Sequence, residues 1–299
     1  MQTYLESVNN LVEQFCSDLR DVSIGIQSDV VDLLAKQVDE MECSDMGPPK
    51  VLKDIAEQRG DSLDKADFNT LVLFYELFAG SVNFCYWYGA YDVRPTGGGA
   101  STMYKCLDDA FSSVLRDGNG GSVAESFKDN LIRARMPLLE ERLRYVNEVG
   151  NSESYLTPWL YLSESLQEFL DVLLIHCPSF GKDMFLKRAF LLAHMMNRRI
   201  GLYSSFIEQV PVPADYQIPK MLEHFGVLKY SDDLHDTIWE GRLIPPGSRQ
   251  ECEIRASTMM ACKMLAEKIG CTQGDIDTVL WYNRKSCSNP FHLTITTDY

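Results

Sequence analysis

Long apolar runs are missing from this sequence. The longest, "MPLL" and "AFLLAHMM", fall well short of the roughly 20 residues a membrane-spanning helix needs, so no membrane partner is expected. The opening "MQTYLESVNNLVEQF" is acidic and amphipathic rather than basic followed by an apolar block, so no secretory signal is expected either. Cationic excess is also lacking. With 28 basic against 43 acidic residues the net charge is −15, a field that repels the backbone of long nucleic acids. A small anionic ligand stays compatible, because a local basic pocket overrides distant surface charge. Cysteine is plentiful at nine residues, but no C-x-x-C and no dense His/Cys cluster occurs, so no metal is expected. Singly scattered, odd-numbered cysteines read as reduced thiols in a cytoplasmic setting. The glycine-rich "RPTGGGAS" and "RDGNGGS" fit neither a phosphate-binding loop nor a dinucleotide fingerprint; they read as loops, and no cofactor is expected. Internal repeats and low-complexity tracts are absent.

What the sequence does have is helical periodicity. A 45% hydrophobic and 24% charged composition over 299 residues is that of a globular protein with one or two cores. "SDVVDLLAKQVDEM" puts Val30, Leu33, Leu34 and Val38 on one face. "DKADFNTLVLFYELFAGSVNFCYW" starts acidic and becomes apolar all round, which predicts burial on most sides. Pro137 marks a kink or the first turn of a new helix. "SRQECEIRASTMMACKMLAEKIG" carries Ile254, Thr258, Ala261, Leu265 and Ile269 on one stripe, with Gly270 as its C-cap. Strand-like alternation occurs near "FHLTITTDY" alone. The expected fold class is all-α, a mainly helical unit over 1–299 with room for two lobes, its N-terminal helical part (1–66) less distinctly patterned.

Four stretches hold candidate chemistry. "PVPADYQIP" sets Asp215 among three prolines, which stiffen the backbone; the acid is either a helix cap or a catalytic carboxylate on a rigid mount. "SVNFCYWYGAYDV" groups Asn83, Phe84, Tyr86, Trp87, Tyr88 and Tyr91, which suits either a flat heterocycle or an ordinary aromatic core. "FLKRAFLLAH" embeds Lys187 and Arg188 in an apolar helix, where each holds an anion, pairs with a structural acid or reaches solvent. "RQECEIRAS" has the Glu–Arg spacing of structural ion pairs. Downstream, "MLEHFGVLKYSDDL" adds His224, Tyr230, Asp232 and Asp233, with "SDDL" most simply a cap, and His292 has no sequence-adjacent partner.

In order along the chain, "NFCYW", "MPLLEERLRYVNEVG", "HCPSF", "FLKRAFLLA", "ADYQIPKMLEHFGVLKYSDDL", "PGSRQECEIRAS" and "NPFHLTITTDY" resemble the motifs of the queuosine salvage family, the queuosine 5′-phosphate N-glycosylase/hydrolases. The resemblance runs from about residue 70 to the end, more weakly before. It implies a compact helical fold similar to DNA glycosylases, acting on a modified nucleotide. The implied reaction releases queuine from queuosine 5′-monophosphate and leaves ribose 5-phosphate. By motif it makes Asp215 the catalytic acid residue and sets Asn83, Phe84, Trp87, Lys187, Tyr216, Asp232 and His292 at substrate-pocket positions. A fixed carboxylate suits N-glycoside cleavage, which develops positive charge on the ribose. A 7-deazapurine has carbon where purines offer N7, so its departure needs other edge contacts. The chain departs from the family pattern at Phe190 for Gln, His194 for Asp, Gln217 for Arg, Lys220 for Gln and Leu293 for Arg, and "TMY" (102–104) replaces G-Y-W. These positions bear on substrate choice. Two alternatives therefore stand beside the lead: a hydrolase of another modified or deazapurine nucleoside or nucleotide, and a non-catalytic binding protein on the same scaffold.

Overall fold

A computed structural model of the chain describes residues 2–41, 47–59, 64–87, 99–118 and 121–299. The helices are α1 (Tyr4–Cys16), α2 (Ser28–Glu40), α3 (Lys50–Arg59), α4 (Lys65–Ser81), α5 (Gly99–Phe111), α6 (Val123–Arg133), α7 (Leu139–Tyr161), α8 (Leu166–His176), α9 (Lys187–Ile200), α10 (Gln217–His224), α11 (Asp232–Trp239), α12 (Arg249–Ile269) and α13 (Gln273–Asn283). Two short strands, β1 (Val22–Ile24) and β2 (Leu228–Tyr230), pair antiparallel with Val22 opposite Tyr230. The fold is mainly helical. No helix among the described residues is long and apolar enough to cross a membrane.

Local sequence explains where the central helices begin and end. Asp64 accepts from Asp67 N at 2.8 Å and starts α4, which then runs almost wholly buried between α7 and α9. Ser248 caps α12 by accepting from Glu251 N, and Gly270 ends it at φ 81, a backbone state that side chains with a Cβ resist. The apolar stripe of α12 is buried at Ile254, Thr258, Ala261 and Leu265, and the helix packs against α1, α2 and α13. Pro137 stands between two separate helices, α6 and α7, rather than kinking one.

The N-terminal part is tied to the C-terminal half by polar as well as apolar contacts. Arg20 N and Asp21 N both donate to Glu253 Oε2, at 3.0 and 2.9 Å, and Ser231 Oγ donates to Asp21 Oδ1. On α2, Val30 and Leu34 are buried, whereas Leu33 is 41% exposed: only one edge of the expected stripe reaches α12 and α13. The alternation in 291–299 does not make a strand. His292, Thr294 and Thr296 do turn inward, but among the described residues the segment finds one parallel bridge, Leu243 to Leu293, instead of a partner strand. Of the two glycine-rich stretches, residues 94–98 and 119–120 lie outside the described residues, as do Tyr88 and Tyr91; Gly99 already opens α5.

Candidate active site

A cavity of about 380 Å³ opens between α5, α9, α10 and α13, within the size range of small-molecule sites. Its lining combines charge with aromatic surface. Lys187, Asp215, Asp277 and three arginines supply charge, and Tyr86, Tyr104, Tyr216, Trp281 and Tyr282 supply aromatic surface.

Asp215 both supports the start of α10 and lines the cavity. Its Oδ1 accepts from Gln217 N at 2.7 Å and Ile218 N at 3.3 Å, which satisfies the free N–H groups at the start of α10. Its Oδ2 makes no hydrogen bond among the described residues, and the residue lines the cavity. The mount is fixed at several points. His194 Nε2 lies 3.1 Å from Pro211 O, Gln273 Oε1 accepts from Val212 N, and Arg255 Nε donates to Ala214 O. Because a carbonyl only accepts, His194 carries its proton on Nε2. Burial pushes its pKa down to about 4, so the ring is neutral. Its Nδ1 faces Gly274, where a Cβ would lie 2.5 Å away, so glycine lets α13 approach α9 here.

Lys187 enters the cavity from the first turn of α9. Its Nζ donates to Asn83 O at 3.0 Å and lies 3.5 Å from Asn83 Oδ1. Burial lowers its pKa to about 8, against the pull of Asp215. Burial likewise raises Asp215 above the usual carboxylate range, opposed by Lys187 and the two backbone N–H groups. Asp277, on α13, goes further: burial and the neighbouring Asp215 charge raise it to about 7. Two carboxylates in one enclosed site with unequal cationic support are the arrangement that separates an ionised group from a protonated one.

Asn83 is held by an unusual backbone clamp. Five consecutive carbonyls, residues 81 to 85, each accept from a cationic side chain. Arg188 Nη1 donates to Ser81 O at 2.7 Å, Arg142 to Val82 O, Lys187 to Asn83 O, and Arg142 Nη2 to Phe84 O and Cys85 O at 2.7 and 2.6 Å. Charge-assisted bonds to a turn of this kind fix it far more firmly than neutral ones. Asn83 Oδ1 also accepts from Tyr86 OH, so its amide nitrogen is the group left to face the cavity.

The structure therefore brings Asn83, Tyr86, Lys187, Asp215 and Tyr216 together, and it separates Phe84, Trp87, Arg188, Asp232 and His292 from the lining. Trp87 packs behind Tyr216, ring centroids 4.5 Å apart. Phe84 lies under Arg142, whose guanidinium is 4.3 Å from its ring centre, and serves the clamp. Arg188 is buried on backbone carbonyls rather than on an anion or acid side chain. Asp232 is exposed in the first turn of α11, where a negative charge favours the helix start. His292 is buried 2.9 Å from Tyr299 OH, and burial holds its pKa near 3, so it packs the C-terminal segment as a neutral ring. Glu251 and Glu253 are structural, paired with Arg255 and Arg249.

Sequence reasoning missed Asp277, Arg198, Arg284 and Trp281, and it reached Tyr104 only within the "TMY" departure. Their stretches carry no spacing that marks chemistry, and only the packing of α5, α9 and α13 brings them to one cavity. Among the departures from the family pattern, Phe190 is fully buried, His194 and Gln217 line the cavity, and Lys220 Nζ donates to Arg284 O.

The sequence model of the family described as queuosine salvage protein matches residues 65–297. A relative from Sphaerobacter thermophilus, named queuosine 5′-phosphate N-glycosylase/hydrolase, is 26% identical over 267 residues, spanning 75% of this chain and 80% of its own. Relatives of the same name from Dictyostelium discoideum and Bos taurus are 26% identical over 275 residues and 31% identical over 172 residues. The first alignment spans 79% of this chain and 80% of the relative, the second 48% and 50%.

Proposed function

This chain belongs to the queuosine salvage protein family, and we propose that it hydrolyses the N-glycosidic bond of queuosine 5′-monophosphate, releasing queuine and ribose 5-phosphate. The observation that carries this reading is Asp215, with one oxygen fixed by backbone N–H groups and the other open to a cavity shared with Lys187 and Asp277. In this reading Asp215 is the ionised carboxylate below the sugar. It stabilises the positive charge that grows on C1′ and O4′ as the bond to the base lengthens, and it takes the proton of the water that then adds to C1′ to give ribose 5-phosphate. Lys187, beside it, favours that ionised form. Asp277, with a pKa of about 7, still carries its proton in about half of the molecules at neutral pH and delivers it to the departing base, whose position 7 is a carbon and takes none. Asn83 donates from its amide to an edge atom of the base, and the tyrosine and Trp281 rings supply stacking surface.

We place residues 1–66 in the same functional unit, since β1 and α1 are anchored on β2 and α12. A reducing, cytoplasmic setting fits the eight free thiols among the described residues.

The test is direct. Purified protein is incubated with queuosine 5′-monophosphate, queuosine and GMP, and free base is followed by chromatography. Release of queuine from the monophosphate supports the proposal. Release from a different nucleoside or nucleotide alone moves the substrate, and tight binding with no turnover makes the protein a binder.

A pH dependence follows from the same assignment. A proton donor with a pKa of about 7 is loaded below that value and empty above it. The rate constant kcat/KM is therefore expected to level off just below pH 7 and to fall about tenfold per unit well above it. In Asp277→Asn the residual rate should lose this limb and decline only near pH 8, where Lys187 gives up its charge. A profile of wild type that rises through pH 7 would make Asp277 a base instead.

A further inference from the structure

Four cations line the cavity, and three of them are already engaged. Lys187 is bonded to Asn83. Arg198 donates to Gly274 O at 2.8 Å and lies 3.7 Å from Asp275. Arg199 is paired with buried Glu76 and donates to Gly47 O. Arg284 differs. Its guanidinium carbon lies over the Trp281 ring, 3.3 Å from the ring centre, and its Nη1 donates to Trp281 O at 2.5 Å. It forms no ion pair with a carboxylate among the described residues, and its Nε and Nη2 make no hydrogen bond there.

Its place in the site is also distinctive. Trp281 and Tyr282 are 36% and 50% exposed, so this stretch forms the solvent end of the cavity. Burial lowers the Arg284 pKa from its usual value, and the nearby charge of Asp215 opposes that shift. A ribose whose C1′ faces Asp215 carries its 5′ substituent about one ring away, and Arg284 lines the same cavity. Contact with Trp281 holds the guanidinium, and its Nε and Nη2 donors remain for a planar or tetrahedral oxyanion. The sequence offers no competing cation at the positions where the family pattern has arginine: Gln217 lines the cavity as a neutral amide with a buried Oε1 that has no partner among the described residues, and Leu293 is apolar. With a net charge of −15 the protein as a whole repels a phosphate dianion, so recognition of one needs a local fixed cation.

We propose that Arg284 holds the 5′-phosphate of the substrate and makes the cavity select a nucleoside monophosphate over the free nucleoside. This rests on the glycosylase reading above for the substrate, although the phosphate contact is measurable without turnover. Charge-assisted hydrogen bonds of this kind carry about a 10–100-fold preference.

The experiment compares wild type, Arg284→Gln and Arg284→Lys in two assays. In the first, the ratio of kcat/KM for queuosine 5′-monophosphate to that for queuosine is measured. It should fall about 10–100-fold in Arg284→Gln, through KM for the monophosphate, with Arg284→Lys between. In the second, binding of ribose 5-phosphate is followed by calorimetry and should weaken in the same order. An unchanged ratio, or an equal loss on both substrates, overturns the proposal, the latter because Arg284 would then act on Asp215. If wild type turns over neither substrate, the glycosylase reading fails, while ribose 5-phosphate binding still decides the role of Arg284: unaltered binding in Arg284→Gln overturns it.

Discussion

Asp215→Asn is expected to lower kcat for base release by about 10³-fold or more, roughly 4 kcal/mol of transition-state stabilisation, with the fold intact. The substitution preserves shape and keeps an acceptor for Gln217 N and Ile218 N, so the start of α10 survives. What it removes is the negative charge on the open side of the carboxyl. That charge matters little when substrate binds and greatly when C1′ becomes cationic, so the loss should appear in kcat and leave KM within a few-fold. Single-turnover release of queuine from the monophosphate, followed by chromatography, measures it. A loss of less than about tenfold would show that another group, Asp277 first among them, carries the developing charge. The unfolding temperature of the variant should match wild type within a few degrees, which separates the chemical loss from a structural one.

Asp183→Ala is expected to have the largest effect on stability, about 3–5 kcal/mol by urea unfolding. Asp183 is fully buried and takes two parallel bonds from Arg255, at 2.7 and 2.6 Å, and it accepts from Phe185 N and Lys187 N at the entry to α9. Removing it leaves a buried guanidinium facing Glu251 alone, whose carboxylate is 3.5 Å away. The Arg255 pairing holds the Asp183 carboxyl below the usual carboxylate range. The sign of its pH dependence follows. Its stabilisation is complete above the ordinary carboxylate value of about 4 and is lost as pH falls through the lower folded value, so wild type but not the variant should lose this increment in acid.

Activity should fall with stability in that variant, for a geometric reason. Arg255 also donates to Ala214 O, next to Asp215, while Asp183 anchors the backbone N–H of Lys187. One buried ion pair thus spaces the cation and the carboxylate of the site. Loss of kcat at temperatures where Asp183→Ala is still folded would reveal this coupling, and a fully active folded variant would sever it.

Much of the helical scaffold was legible in the sequence. The apolar stripe of α12, its glycine cap and the all-round burial of α4 are local patterns, because side-chain spacing at 3.6 residues per turn is a property of the helix alone. Where partners decide, the reading was weaker. Leu33 fits the α2 stripe but faces solvent, since the neighbouring helices cover only one edge. The 291–299 segment alternates as a strand does, yet backbone hydrogen bonds to a partner make a strand, and the sequence does not reveal whether one is near.

The site divides in the same way. Asn83, Lys187, Asp215 and Tyr216 stood out because each interrupts its surroundings: an amide among aromatics, a cation in an apolar helix, an acid and its neighbour between prolines. The sequence by itself determined the helical class, the rigid mount of Asp215 and the family to which its motifs point. Tertiary structure alone decided that Asp215 caps a helix with one oxygen and faces a cavity with the other, that Asp277 joins it, and that Arg284 is left without a carboxylate partner among the described residues. The physical reason is that a carboxylate's proton affinity and a cation's freedom depend on burial and on charges far away in sequence. Both are set when helices pack, and neither is written in the residues on either side.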